Sequence, residues 1–239
     1  MKRADGRKAN QLRKVIIKKN YVRHAPGSCL IAFGNTRVLC AATVDESVPP
    51  FLKNSGTGWV TAEYGMLPAS CAGRIRRNNP SGRVHEIQRL IGRSLRAAVD
   101  MAALGECTVR IDCDVIDADG GTRTAAVTGG FVALALALKD LKKRKVLSRI
   151  PLKDHVAAVS VGLIDNQMLL DLNYDEDFRA DMDMNVVMLG SHKLAEVQGT
   201  AEGKTFTRAQ CDKLVQLAQK GIRELIRMQK QAIGKISFL

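Results

Sequence analysis

From Ala125 to Leu138 the sequence runs AAVTGGFVALALAL without one charged residue. The run is too long for a single strand, whose usual length is about five or six residues. It also offers water no polar stripe, so the regular element it can form is a helix covered on every side. At about 1.5 Å per residue such a helix reaches roughly 21 Å, short of the ~20 residues that cross a bilayer. The rest of the chain therefore has to enclose it. With 239 residues, 46% of them hydrophobic, there is enough material for one sizeable core.

Much of the enclosure is expected to be sheet. Strand patterns run from Ser28 to Phe33, through a turn at Gly34-Asn35, then over Arg37 to Val44 and Trp59 to Leu67, and read as an antiparallel unit. Ile87, Leu90, Ile91, Leu95, Ala98 and Met101 recur at helical spacing, with Arg89, Arg93 and Arg96 on a separate stripe. Alternation from Thr108 to Ile116 leads through Gly120-Gly121 into the apolar helix. After a basic linker, Lys139 to Lys145, the plan recurs: strands His155 to Ile164, Met168 to Asn173, Met184 to Leu189 and Lys193 to Gln198, with a turn at Asp165-Asn166. A last helix follows a Thr207/Gln210 capping box and buries Leu214, Ala218, Ile222, Leu225 and Ile226. The expectation is an α+β protein, one domain over 1–239, with a pseudo-repeat of about 10–140 and 150–233 around one core.

Lys and Arg number 37 against 24 acidic residues, a formal charge of +13 that favours polyanions such as nucleic acid or anionic lipid. No run of about 18 apolar residues is present and the first residues, MKRADGRKANQLRK, lack the apolar core of a signal peptide, so no membrane partner is expected. Six cysteines scattered without a CxxC pair speak against a zinc site or a disulfide framework and fit a reducing cytoplasm. Aromatic residues make up 4% of the chain, which disfavours a sheet that stacks bases; RNA, if bound, is expected to be held along its backbone by Arg and Lys. His24, His85, His155 and His192 have no metal-ligand spacing, and neither GxSxG nor a P-loop occurs.

Four places can carry chemistry or binding. GGTRTA, Gly120 to Ala125, sets two glycines, a hydroxyl and a guanidinium before a helix N-terminus, where free N–H groups and the positive end of the dipole attract an anion. The same residues suffice for a plain turn capped by Thr122 or Thr124. Arg83, near the start of the arginine-striped helix, could join Arg123 in forking onto phosphate oxygens; an Arg at a helix start is as readily a solvated residue. The acidic run from Asp175 to Asp183 holds carboxylates of the kind Mg²⁺ prefers, Asp177 and Asp183 being the chosen pair, although a solvated loop explains the spacing equally. Arg74, Arg76 and Arg77, with Asn78 and Asn79, form a basic loop suited to RNA phosphates or simply to water. Arg89 and Arg93 are counted as further RNA contacts.

Several strings resemble the RNase PH family together and in its order: NYVRHAPGSCLIAFGNTRVLCAA, GWVTAEYGMLPAS, GRVHEIQRLIGRSLRAAVD, DCDVIDADGGTRTAAVTGG, AAVSVGL, and DMNVVM with EVQGTAEG close behind. They span about Asp5 to Ile233; the stretch between MLPAS and GRVHEIQRL is shorter and richer in Arg than in many relatives. The resemblance implies a fold like ribosomal protein S5 domain 2, two βαβα-type halves packed together, and a homohexameric ring built as a trimer of dimers. It implies that Arg83, Gly121, Thr122 and Arg123 bind inorganic phosphate and that Asp177 and Asp183 lie near Mg²⁺ and the scissile bond. It implies phosphorolysis of the 3′ ends of tRNA precursors and other RNA, with nucleoside diphosphates released and the reverse addition expected. Two rivals share the fold: a catalytic subunit of the exosome type, and a noncatalytic RNA-binding ring subunit.

Overall fold

The computed structural model of the chain describes residues 3–76, 81–201 and 204–238. The first half forms β1 (Val15–Lys19), β2 (Gly27–Phe33), β3 (Thr36–Asp45), β4 (Trp59–Met66), α1 (Gly82–Ala97), α2 (Met101–Leu104), β5 (Thr108–Asp117) and α3 (Thr122–Lys143). The second forms β6 (Val156–Ile164), β7 (Gln167–Leu170), α4 (Tyr174–Phe178), β8 (Met182–Leu189), β9 (Leu194–Thr200) and α5 (Arg208–Ile233). The strands make two sheets, ordered β1-β2-β3-β5-β4 and β7-β6-β8-β9.

The apolar run forms α3, which packs on β2 and β3 on one side and on β6 on the other. By length and composition α3 is apolar enough to cross a membrane, but most of its surface is enclosed by the two sheets. Close approach needs a residue without a side chain: a Cβ at Gly27 would lie 2.1 Å from the Ala133 carbonyl oxygen and 2.4 Å from the Ala137 nitrogen. The core is continuous across both sheets, with Phe33, Phe131, Leu134, Leu138 and Leu152 wholly buried.

Four local expectations change. The strand at Trp59 is not part of an antiparallel unit; β4 pairs parallel with β5, which inserts between β3 and β4. The connection from β4 to β5 runs through α1, and a crossover of that length permits parallel pairing where a hairpin does not. β1, whose Lys18 and Lys19 hide its alternation, pairs antiparallel with β2. The arginine-striped helix ends at Ala97, and Met101 opens a separate turn capped by Asp100, which accepts from the Ala102 and Ala103 N–H groups. The acidic run contains the short helix α4, closed by a capping box in which Asn173 and Glu176 bond each other's backbone N–H.

Candidate active site

The anion turn lies where β5 ends and α3 begins. Gly121, at φ 66°, is the N-cap of α3 and has no side chain with which to cap it. Neither threonine substitutes: Thr124 Oγ1 donates to the Gly121 carbonyl at 2.9 Å, and Thr122 Oγ1 accepts from the Tyr64 hydroxyl at 2.9 Å. The threonines therefore do not cap the helix. The first-turn N–H groups of α3 remain available to an anion, at the positive end of a long helix.

Gly120 fixes where that turn sits. Its φ is +71°, and a Cβ on it would lie 2.6 Å from the Asn173 carbonyl carbon and 2.8 Å from both the Leu172 oxygen and the Tyr174 nitrogen. Only glycine allows the two backbones to meet, and the partner is the start of α4, which carries Asp177. Asp183 is at the start of β8, where its Oδ1 accepts from Thr200 Oγ1 at 2.6 Å across the β8–β9 pairing. Arg83 occupies the first turn of α1. Arg123 reaches Gln198 at 3.4 Å and Glu86 at 3.7 Å, long contacts that leave most of its donors unused among the described residues.

Electrostatics tie these groups into one site. Asp177 is open to solvent at its rim yet walled in enough that desolvation, then the neighbouring Asp183, push its carboxyl up; Arg123, Arg83 and Arg13 oppose the rise. Burial likewise raises the Tyr64 phenol, against its bond to Thr122 and the fields of Arg83 and Arg123. The two arginines, the turn and the two carboxylates proposed from the sequence are thus within electrostatic reach of one another. Asp177 and Asp183 offer hard oxygen donors, and a divalent cation would relieve the repulsion that raises Asp177; Mg²⁺ is commonly held through one or two carboxylates together with substrate phosphates. Among the described residues no group of three or more His, Cys, Asp or Glu side chains forms a closed metal cage.

The support beneath the turn was not legible in the sequence. Arg13 and Asp171 are buried, 5% and 0% exposed, and bond bidentately at 3.1 and 2.7 Å; Arg13 also donates to the carbonyls of Asp119 and Gly120. Arg3 grips Glu176 of α4 through two bonds of 2.7 and 2.6 Å. The N-terminal segment therefore holds both the anion turn and the helix that presents Asp177. Partners 158 and 173 residues apart leave no spacing signal; the hint available was a chain start dense in arginine.

The basic loop begins beside the same turn, with the Leu67 N–H bonded to Val115 and the Ala118 N–H to Ser70. Arg74 and Arg76 are exposed on it; Arg77, Asn78 and Asn79 lie outside the described residues. Arg89 is exposed on α1. Arg93 is held by Glu196 of β9 in a bidentate pair at 3.0 and 2.5 Å, and Arg96 lies over the Trp59 ring at 4.3 Å while donating to the Val60 carbonyl.

The sequence matches the model of the 3′ exoribonuclease family, domain 1, over residues 11–139, and that of domain 2 over residues 154–221. The chain belongs to the RNase PH family. Among RNase PH family members it is 56% identical to ribonuclease PH of Moorella thermoacetica, covering 99% of this chain and 96% of that one. It is 58% identical to ribonuclease PH of Corynebacterium efficiens, over 97% of this chain and 96% of the relative. Solved structures with this architecture include rice Rrp46, at a TM-score of 0.81 and 20% identity over 98% of this chain and all of that one. A chain of the Archaeoglobus fulgidus exosome, solved with RNA bound to the active site, aligns at a TM-score of 0.82 and 22% identity, covering 95% of this chain and 92% of its own length. The fold is the α+β, S5 domain 2-like fold of the RNase PH family.

Proposed function

We propose that the protein is a phosphate-dependent 3′-to-5′ exoribonuclease that removes nucleotides beyond the CCA end of tRNA precursors, and by the same chemistry trims other RNA 3′ ends. The observation that carries this reading is the uncapped Gly121–Thr122–Arg123 start of α3, set against a helix that presents a carboxylate with a raised pKa. Such a turn binds phosphate through backbone N–H groups and the helix dipole, and Arg123 and Arg83 add charge-assisted bonds to its oxygens.

The bound phosphate is the nucleophile. One of its oxygens attacks the phosphorus of the last phosphodiester in line, the bond from that phosphorus to the preceding 3′ oxygen breaks, and the departing oxygen takes a proton. The products are a nucleoside diphosphate and an RNA shorter by one nucleotide. Positioning supplies much of the acceleration, because two anions that repel in water are held together by fixed positive groups. Asp177, with its carboxyl raised by burial and by Asp183, is suited to hold the proton destined for the leaving 3′ oxygen. The same two carboxyls would hold Mg²⁺, which supplies charge neutralisation at the phosphoryl oxygens when bound; the carboxyl that holds the metal is not the one that carries the proton.

Arg74, Arg76 and Arg77 are read as backbone contacts to the RNA, with Arg89 beside them; Arg93 joins them when released from Glu196. The assembly that goes with this reading is a homohexameric ring, a trimer of dimers, and the two halves, about 10–140 and 150–233, are read as a pseudo-repeat sharing one core. All six cysteines are free thiols, Cys29, Cys40 and Cys113 buried in the core, which suits a reducing cytoplasm. The presence of Arg83, Thr122, Arg123, Asp177 and Asp183 in one cluster favours turnover over a noncatalytic ring subunit. Identities of 54–58% to ribonuclease PH chains, against 21–22% to archaeal exosome chains, favour the stand-alone type.

The test is to incubate the protein with a 3′-extended tRNA precursor and Mg²⁺, with and without inorganic phosphate, and identify the released nucleotides. Diphosphates formed only with phosphate are expected. Monophosphates released without phosphate would overturn the reading.

A further inference from the structure

At the end of β8 remote from Asp183, a cleft of about 630 Å³ opens between the β8–β9 hairpin and the last turns of α5, within the volume range of ligand sites. Asp183, in β8, and Gly190, just past its end at the mouth of the cleft, are seven residues apart, or about 23 Å at ~3.3 Å each. The cleft is therefore separate from the anion turn, and β8 runs from one to the other.

Lys153, His192, Arg223, Arg227 and Lys230 line it, and all five are exposed. Arg223, Arg227 and Lys230 fall at i, i+4 and i+7 and so form one stripe of α5. Among the described residues none of the five takes part in an ion pair, whereas Arg208 and Asp212 at the other end of α5 do pair. The acid among the lining residues, Asp154, is turned to structural use: Oδ1 accepts from the His155 N–H and Oδ2 from the Ser191 N–H, both at 2.7 Å. The base of the cleft adds no compensating charge. His155 is buried against Phe131 and Phe238, at ring separations of 5.3 and 4.8 Å. Desolvation, then the nearby Lys230, lowers it to about 4, which leaves it neutral at physiological pH.

A solvated helix face normally mixes signs. Here four formal cations converge on a concavity whose one carboxylate among the described residues, Asp154, is already bonded, an arrangement that focuses positive potential on whatever enters. A single phosphate would use one or two of them; a stripe about 10 Å long on α5, continued by Lys153, fits successive phosphates of a chain.

We propose that this cleft is a second RNA-backbone site, holding phosphates of the substrate's body about 23 Å from the 3′ end under attack. The proposal rests on the exoribonuclease reading and adds a length requirement to it. At ~3.4 Å per stacked nucleotide the separation corresponds to on the order of seven nucleotides. A trinucleotide therefore occupies the catalytic end alone, while a tRNA precursor reaches both.

The test compares the triple variant Arg223→Ala/Arg227→Ala/Lys230→Ala with Lys213→Ala/Lys220→Ala, which removes exposed charge from the same helix outside the cleft. For a tRNA precursor the triple variant should raise KM about tenfold with kcat unchanged, and the log–log salt dependence of binding should become shallower by about 2, at ~0.7 for each phosphate no longer neutralised. Turnover of a trinucleotide and the behaviour of the double variant should match the parent protein. An unchanged precursor KM and salt slope, or equal changes in both variants, would overturn the proposal. A shift in oligomeric state on light scattering would also overturn it, assigning the cleft to a second copy of the chain. Titration of precursor binding without phosphate separates the two layers: a parent protein without phosphorolysis would sink the exoribonuclease reading, while the weakening of binding in the triple variant still decides the cleft.

Discussion

Arg13 and Arg123 serve the same glycine pair from different positions, and the protein uses them in opposite ways. Arg13 is buried, and Nε, Nη1 and Nη2 all donate, to Asp171 and to the carbonyls of Asp119 and Gly120. Arg123 is partly exposed and among the described residues has only long contacts, at 3.4 Å to Gln198 and 3.7 Å to Glu86. A guanidinium whose donors are all taken can fix a backbone but cannot bind a ligand. One with donors to spare, beside uncapped helix N–H groups, is placed for an incoming anion. The state of the donors separates the scaffold of the site from its working surface better than residue type does.

The contrast breaks first at Arg13. Arg13→Ala takes the bidentate partner from the fully buried Asp171 and leaves it the backbone N–H of residue 13 and Arg7 at 3.6 Å; breaking a buried pair typically costs about 3–5 kcal/mol, part of which Arg7 offsets. Chemical denaturation should show it, and a destabilisation no larger than that expected for an exposed residue would mean that Arg13 does not support the turn. Gly120→Ala comes next. The left-handed conformation alone costs an alanine about 1–2 kcal/mol, and the collision with the Leu172–Tyr174 backbone adds to it. The variant should lose thermal stability and phosphorolysis together, because the turn and α4 must separate. Retained activity would show that their close contact is dispensable.

Asp177→Asn has the smallest effect on stability and the opposite sign. The carboxyl is raised in the folded state, so its ionised form is penalised there: its stabilising contribution is complete below the unfolded pKa and is lost as pH rises through the folded value. The variant is therefore expected to melt slightly above the parent at neutral pH, with the gap closing as pH falls into the carboxylate range, while its activity is lost. A lower melting temperature at neutral pH would mean that Asp177 is held by attraction to Arg123 and Arg83 rather than raised by burial and Asp183.

The sequence made α3 and α5 legible because both announce themselves locally, one by having no polar face and the other by the Thr207/Gln210 capping box and an apolar stripe that is buried as expected. The glycine turn that opens α3 was legible for the same reason, since Gly120, Gly121, Thr122 and Arg123 are contiguous. Pairing across distance was not. The parallel partnership of β4 with β5 depends on α1 lying between them, and the Arg13–Asp171 and Arg3–Glu176 pairs join chain ends that no periodicity relates. α4 was hidden because five residues, three of them acidic, look like a solvated loop until Asn173 and Glu176 are seen to close it.

Catalysis of the kind proposed depends above all on phosphate being held at the start of α3 by Arg123. Steady-state kinetics of Arg123→Ala, with phosphate and RNA varied separately, addresses this directly. Removing one such preorganised donor costs on the order of 10²–10³ in rate, and the effect should appear as a raised phosphate KM and lowered kcat with the RNA KM unchanged. A variant that keeps the parent phosphate KM, or whose defect falls on RNA alone, would contradict phosphate binding by Arg123.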